Sequence, residues 1–345
     1  MHQPMKHILT VILLAPVALA PTWTMQSSGG NARLRGVSAV TEKVAWASGS
    51  GNTILRTEDA GATWTKLTNP TTDRLDFRDI DAVGERVAYV LSIGNGSSSR
   101  IYKTMDAGVT WTLQFANADA EAFFDAMAFW DADHGIAVSD TVKGAFVIIT
   151  TEDGGKTWSR VPAEKLPPAL PNEGAFAASG TNVAVFGTSH VWFGTGAAAR
   201  ARVLRSTDRG RTWQIAETPL AAGQSSGIYS VAFRDPLHGV IVGGDYAKEQ
   251  EAVDNAAVTR DGGKTWSLVK GLRGFRSVVA HVPGSKSSFI AIGPRGSDLS
   301  SDDGRTWSAL PEPGFDTFSF ARGKTVGWGS GARGMIGRLD GLTTR

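Results

Sequence analysis

Two glycine-framed phrases and a few arginines are the places where this chain could do chemistry. Gly329-Ser330-Gly331-Ala332-Arg333-Gly334 fits G-x-G-x-x-G, a spacing that cradles a pyrophosphate when a strand leads into a helix. Gly223-Gln224-Ser225-Ser226-Gly227 fits G-x-S-x-G, the elbow that presents a nucleophilic serine. Neither has the context its chemistry needs. The first aligns without gaps to residues 47–52, with Trp328 on Trp46, and reads as a strand-to-strand turn. The second is entered from a loop and followed by strand-like 229–233. Neither a cofactor nor a serine nucleophile is expected. Three arginines share a local context, in Leu-Arg35-Gly, Phe-Arg78-Asp and Phe-Arg276-Ser. Brought together, three guanidiniums make an anion site; apart, each pairs with a carboxylate such as Asp79, Asp125 or Asp316.

What must position these residues is a repeat. Ser/Thr-x-Asp-x-Gly-x-Thr-Trp occurs six times, with its aspartates at Asp59, Asp106, Asp153, Asp208, Asp261 and Asp302. The tryptophans, from Trp64 to Trp307, are 41 to 55 residues apart, close to the period of a β-propeller blade. Apolar, β-rich residues precede each copy and a short strand starts at its Thr-Trp, so the phrase is a hairpin turn. The carboxylate accepts from backbone N–H groups of its own turn, the glycine supplies a positive φ, and the tryptophan covers the seam to the next blade. These phrases resemble the Asp-boxes, or bacterial neuraminidase repeats, of sialidases, sortilin-type receptors and related propellers. The six aspartates are assigned to structure.

Three strands precede each Asp-box. The second repeat reads 77–83, 86–92, 101–103 and 110–115 from inner to outer, and the first reads 34–40, 43–47, 53–56 and 63–67. The seventh repeat is split. Strands 315–320, 325–329 and 335–339 precede a degraded box, Asp340-Gly341-Leu342-Thr343. Its outer strand lies at the other end, where Thr22-Trp23-Thr24-Met25-Gln26 resembles Thr110-Trp111-Thr112-Leu113-Gln114. The expectation is an all-β fold: a seven-bladed β-propeller of four-stranded antiparallel blades, the last closed by the N-terminal strand, forming one domain over 21–345.

Ligands of such rings sit near the axis on the face opposite the Asp-box turns. Arg35, Arg78 and Arg276 are placed there, each opening an inner strand. Loops after second strands add Asn95, Asp140, His190, Trp192, Asp245, Tyr246, Arg295 and Arg333. The loops at 189–202 and 244–255 are expected to protrude. His134 and His238 fall in equivalent turns between first and second strands, His190 and His281 stand alone, and no spacing suggests a metal site.

Composition excludes several classes. The absence of cysteine rules out disulfides, thiol nucleophiles and Cys-based metal sites, and a net charge of +2 gives no drive toward nucleic acid or membrane. Residues 1–20 carry Lys6 and an apolar run ending in Ala18-Leu19-Ala20, which reads as a secretory signal or, because Pro21 follows, an uncleaved anchor. A periplasmic or secreted protein is expected, monomeric and with no membrane span after the leader.

His134-Gly-Ile-Ala-Val, His238-Gly-Val-Ile-Val-Gly-Gly and the repeated D-x-G-x-T-W are similar to the photosystem II stability/assembly factor family of seven-bladed propellers, over essentially all of 22–345. Members of that family are assembly scaffolds whose basic face engages a client membrane protein. The resemblance implies a non-catalytic exported scaffold that engages a protein client or an anionic ligand on the face opposite the Asp-boxes; it does not name the client. The alternative is a sialidase-like glycoside hydrolase acting on an acidic or polymeric glycan. Sialidases share the Asp-boxes and use three arginines on a substrate carboxylate, but the Arg-Ile-Pro motif they need is missing here. Their tyrosine nucleophile pairs with a glutamate, for which Tyr229 or Tyr246 with Glu173 are the candidates. Xyloglucan-cleaving relatives use two linked propellers, and this chain has one.

Overall fold

The computed structural model describes residues 21–310 and 313–342; the leader at 1–20 and Thr343 of the degraded box lie outside the described residues. Seven four-stranded antiparallel sheets make up the fold. Blade 1 comprises Leu34–Ala39, Ala45–Gly49, Thr53–Thr57 and Thr65–Lys66, and blade 2 comprises Asp76–Ala82, Ala88–Ile93, Arg100–Thr104 and Thr112–Ala116. The second strands are buried along most of their length because both faces are covered by neighbouring blades. The core therefore lies between blades. Trp46 and Ile54 of blade 1, for example, pack with Phe77, Ile80 and Val90 of blade 2.

The ring closes as the sequence predicts. Thr22–Ser27 pairs antiparallel with Met335–Asp340, Trp23 opposite Leu339 and Gln26 opposite Ile336. The Trp23 ring lies 4.5 Å from Phe315 and 5.8 Å from Phe318. Gln26 then joins the last blade to the first. Its Oε1 accepts from the indoles of Trp64 (3.0 Å) and Trp328 (3.2 Å), and its Nε2 donates to the Ala60 carbonyl at 2.9 Å.

All six Asp-boxes share one hydrogen-bond set. In the first, Asp59 Oδ1 accepts from Thr63 N at 2.9 Å, Oδ2 accepts from Thr63 Oγ1 at 2.6 Å, and Gly61 N donates to Thr57 Oγ1 at 2.8 Å. The Thr63 hydroxyl and amide hold the Asp59 carboxyl down to about 2. The tryptophans cover a seam, but the other one: Trp111 meets Trp46 of the preceding blade edge to face at 6.4 Å, and Trp64 reaches back to Gln26.

Blade 4 departs from the expected layout. Its inner strand is only Val183–Phe186, and His190–Gly194 is its second strand. The protruding loop expected at 189–202 thus begins as core strand. The segment ahead of the inner strand, 174–182, crosses the axis instead. Ser179 Oγ donates to the Ser277 carbonyl of blade 6 (2.8 Å), and the Ser179 carbonyl accepts from Thr317 Oγ1 of blade 7 (3.0 Å). Gly180 permits the crossing: its φ is +75°, and a Cβ there would lie 2.2 Å from Asp79 Oδ1. The loop at 244–255 does protrude, with one 3-10 turn at Tyr246–Lys248 and Tyr246 54% exposed.

Candidate functional site

Four of the seven inner strands, those of blades 1, 2, 3 and 5, open with the same local irregularity. The pairing register skips one residue between Leu34 and Gly36, Phe77 and Asp79, Phe124 and Ala126, and Ile228 and Ser230. The skipped residues are Arg35, Arg78, Asp125 and Tyr229. A bulge leaves one residue out of the ladder and re-aims its side chain. In blades 6 and 7, Ser277 and Asp316 come immediately before the inner strands Val278–His281 and Thr317–Phe320. All six line one cavity of about 520 Å³ at the axis. Six blades thus each contribute one side chain to one site, and the crossing segment of blade 4 adds Phe176 and Ala177.

The charges of this ring are unevenly answered. Arg33, on the approach to blade 1, holds Asp316 through two bonds, of 2.8 and 2.9 Å. Arg78 bonds Asp76 Oδ2 at 3.0 Å and the Ala177 carbonyl at 3.1 Å. Arg35 lies between them, half-buried, with no hydrogen bond or ion pair among the described residues. Burial first, then the neighbouring Arg78 and Arg33, push its pKa down to about 10. It remains a cation at neutral pH, and a desolvated cation without an anion is unfavourable. Across the ring Asp125 is 2% exposed, and its Oδ2 has no partner among the described residues. Burial, then the charge of Asp140, raises its pKa well above the ordinary 3.8. Asp140 is itself raised by burial and accepts from Ala175 N at 2.7 Å.

Aromatic side chains form another wall. Tyr229 stacks on Phe176 at 4.0 Å and meets Phe275 edge-on at 4.6 Å, with Tyr246 at 6.3 Å. Tyr229 Oη donates to the Ser225 carbonyl at 2.9 Å, and burial pushes its pKa up. That is the reverse of an activated nucleophile. Glu173 is no partner for it: this buried carboxylate bonds Arg202, Thr195 Oγ1 at 2.7 Å and Leu170 N at 2.9 Å.

Of the residues singled out in the sequence, Arg35, Arg78, Asp140 and Tyr246 come together at this cavity. Arg276 does not. It lies one residue before the axial position, is fully buried, and bonds Asp298 Oδ2 through Nε at 2.8 Å. A one-residue offset turns a strand side chain to the opposite face. Trp192 is not on the working face either: it is fully buried, stacks on Phe233 of blade 5 at 3.6 Å, and donates to the Gly262 carbonyl at 2.9 Å. His190 begins the same strand, at the Asp-box end, beside Arg209 N, which bonds the Ser189 carbonyl. Asp245 caps the turn at Tyr246–Lys248, accepting from Ala247 N at 2.9 Å. Arg295 pairs with Glu249 at 2.9 Å near the mouth, Arg333 is exposed in the turn after the second strand of blade 7, and Asn95 bridges to Phe123. Sequence reasoning missed Arg33 and Phe176. It named Asp125 and Asp316 only as possible partners for arginine. The recurring bulge position was the available signal. Among the described residues no group of three or more His, Asp or Glu could hold a metal, and no helix is long and apolar enough to cross a membrane.

Comparison with known proteins agrees with the architecture. The BNR/Asp-box repeat matches residues 257–268. No curated protein matches the sequence. In fold the chain is similar to YCF48 bound to D1 peptide, with 16% identity over 92% of this chain and 96% of that one and a TM-score of 0.65. YCF48 from Cyanidioschyzon merolae gives 16% identity, 92% and 98% coverage, and 0.63. A GH74 xyloglucanase from Xanthomonas campestris gives 15% identity and 0.60, over 92% of this chain but 53% of that one. The chain is a YCF48-like seven-bladed β-propeller with a BNR/Asp-box repeat, at low sequence identity.

Proposed function

We propose that this protein is a non-catalytic exported binding scaffold that engages a protein client through the axial cavity, taking a carboxylate of that client on Arg35 and Arg78. The observation that carries the reading is Arg35, a half-buried guanidinium with no partner among the described residues in a cavity of about 520 Å³. A client carboxylate answers that charge with charge-assisted hydrogen bonds. The fold likeness to a YCF48 bound to D1 peptide supports a peptide occupant. The hydrogen-bonded state of Tyr229 and the engagement of Glu173 by Arg202 count against the sialidase-like alternative.

The test is calorimetric titration with acetylated peptides that end in a free carboxylate or in an amide. Tighter binding of the free carboxylate, lost in Arg35→Ala without any fall in melting temperature, is the expected result. Equal binding of the two forms, or binding that survives both Arg35→Ala and Arg78→Ala, refutes the reading.

A further inference from the structure

The axial ring holds two ionisable side chains of opposite type that lack a full partner, a cation and a buried carboxyl. Arg35 of blade 1 has no partner among the described residues; Asp125 of blade 3 is buried, with Oδ2 unpartnered. Both line the same cavity. Asp316 is paired with Arg33 and Arg78 with Asp76; Arg78 also favours the ionised form of Asp125, but burial and the charge of Asp140 outweigh it. An occupant that brought only a carboxylate would answer Arg35 and leave Asp125 as it stands, beside Asp140. A buried polar atom without a partner costs free energy and calls for one.

We infer that the chain end bound in this cavity is bipolar: its terminal carboxylate meets Arg35, and a lysine or arginine side chain next to the terminus meets Asp125 and Asp140. This rests on the scaffold reading above and specifies the client's chemistry. Three features fit a cation on that wall. Asp140 lies beside Asp125, with only its Oδ1 engaged by a backbone amide, Ala175 N. The stacked pair Phe176 and Tyr229 and the edge-on Phe275 line the same space, and aromatic faces attract a desolvated cation. Burial has raised the pKa of both carboxyls, so an arriving ammonium restores their ionised forms. The cavity has the size of an ordinary small-ligand site, enough for a terminal residue and a long side chain but not for a folded domain.

Four acetylated tetrapeptides test this by titration calorimetry. Three end in a free carboxylate and carry lysine, norleucine or glutamate as the residue before last; the fourth is the lysine peptide with an amidated end. Lysine is expected to bind about tenfold more tightly than norleucine, the worth of one charge-assisted bond. Glutamate is expected to bind more weakly than norleucine. In Asp125→Asn the lysine preference should shrink to less than about threefold while the free-carboxylate requirement remains, because the amide keeps the shape and removes the charge. Should that variant not fold, the lysine-to-norleucine ratio on the wild-type protein decides. Norleucine or glutamate binding as tightly as lysine, with the carboxylate still required, overturns the bipolar ligand and leaves the scaffold reading intact. Indifference to amidation overturns the scaffold reading itself. Free lysine is titrated as a fifth probe; if it binds as tightly as the lysine peptide, that overturns the chain end as the occupant and assigns the cavity to a small zwitterion.

Discussion

Gln26→Ala isolates ring closure in one side chain. Gln26 is the acceptor for two indole N–H groups, from blade 1 and from blade 7, and the donor to the Ala60 carbonyl. Trp328 is fully buried and Trp64 nearly so. Truncation leaves both indoles without that acceptor in space water does not reach readily. An unsatisfied buried donor costs about 1–3 kcal/mol, and two that shared one oxygen cost about 2–4 kcal/mol together. The seat is tight, since a Cβ on Gly61 would lie 1.9 Å from Gln26 Oε1, so another residue's side chain does not fill it. At about 2 °C per kcal/mol for a chain of this size, the melting temperature should fall by about 4–8 °C. Met25→Ala is the control: Met25 is 50% exposed on the same strand, and its loss should change stability by less than about 0.5 kcal/mol. Urea unfolding of both variants beside the wild type is the assay. A Gln26→Ala midpoint indistinguishable from that of Met25→Ala refutes the claim that this side chain clasps the ring.

Asp208→Ala should destabilise by about 1–3 kcal/mol in thermal unfolding, because Thr212 N and Oγ1 lose their acceptor, and should leave peptide affinity unchanged. Loss of affinity at unchanged stability would move the Asp-boxes from structure to binding. Asp125→Asn should raise stability at neutral pH and match the wild type near pH 4. The raised carboxyl contributes fully below its ordinary 3.8 and loses that contribution as pH climbs toward its higher folded value, so urea midpoints of wild type and variant should diverge upward from pH 4. The opposite holds for Asp59, Asp106 and Asp153, held near 2. Their contribution is present above 3.8 and disappears as pH falls through about 2, so acid unfolding should steepen there.

The ring was legible because its signals are local. An Asp-box specifies its own turn through contacts within five residues, and Trp23-Thr24 repeats the outer-strand pattern well enough to reveal the split blade. The site was legible only in part because register is not local. Phe-Arg276-Ser looks like Phe-Arg78-Asp, yet the strand of blade 6 starts at Val278 without a bulge, and the offset turns Arg276 into the core toward Asp298. His190 and Trp192 were misplaced for a related reason. A loop at 189–202 requires the first two strands of blade 4 to lie before residue 189, but the small-residue run 174–182 crosses the axis and the inner strand follows it at Val183–Phe186. Asp125 and Asp316 sit at the same bulged or strand-opening position as Arg35, where a mixture of cationic, acidic and uncharged residues hid the repeat that three arginines seemed to announce.

The proposed working face is the axial one, opposite the Asp-box turns. Hydrogen–deuterium exchange with and without the free-carboxylate lysine peptide tests it most directly. Slowed exchange at Phe176 to Ala178, which line the cavity, and at Tyr246 to Glu249 beside its mouth, with the Asp-box turn at Asp208 to Trp213 unchanged, is the predicted result. Protection confined to the Asp-box turns, or to the outer strands, would contradict it.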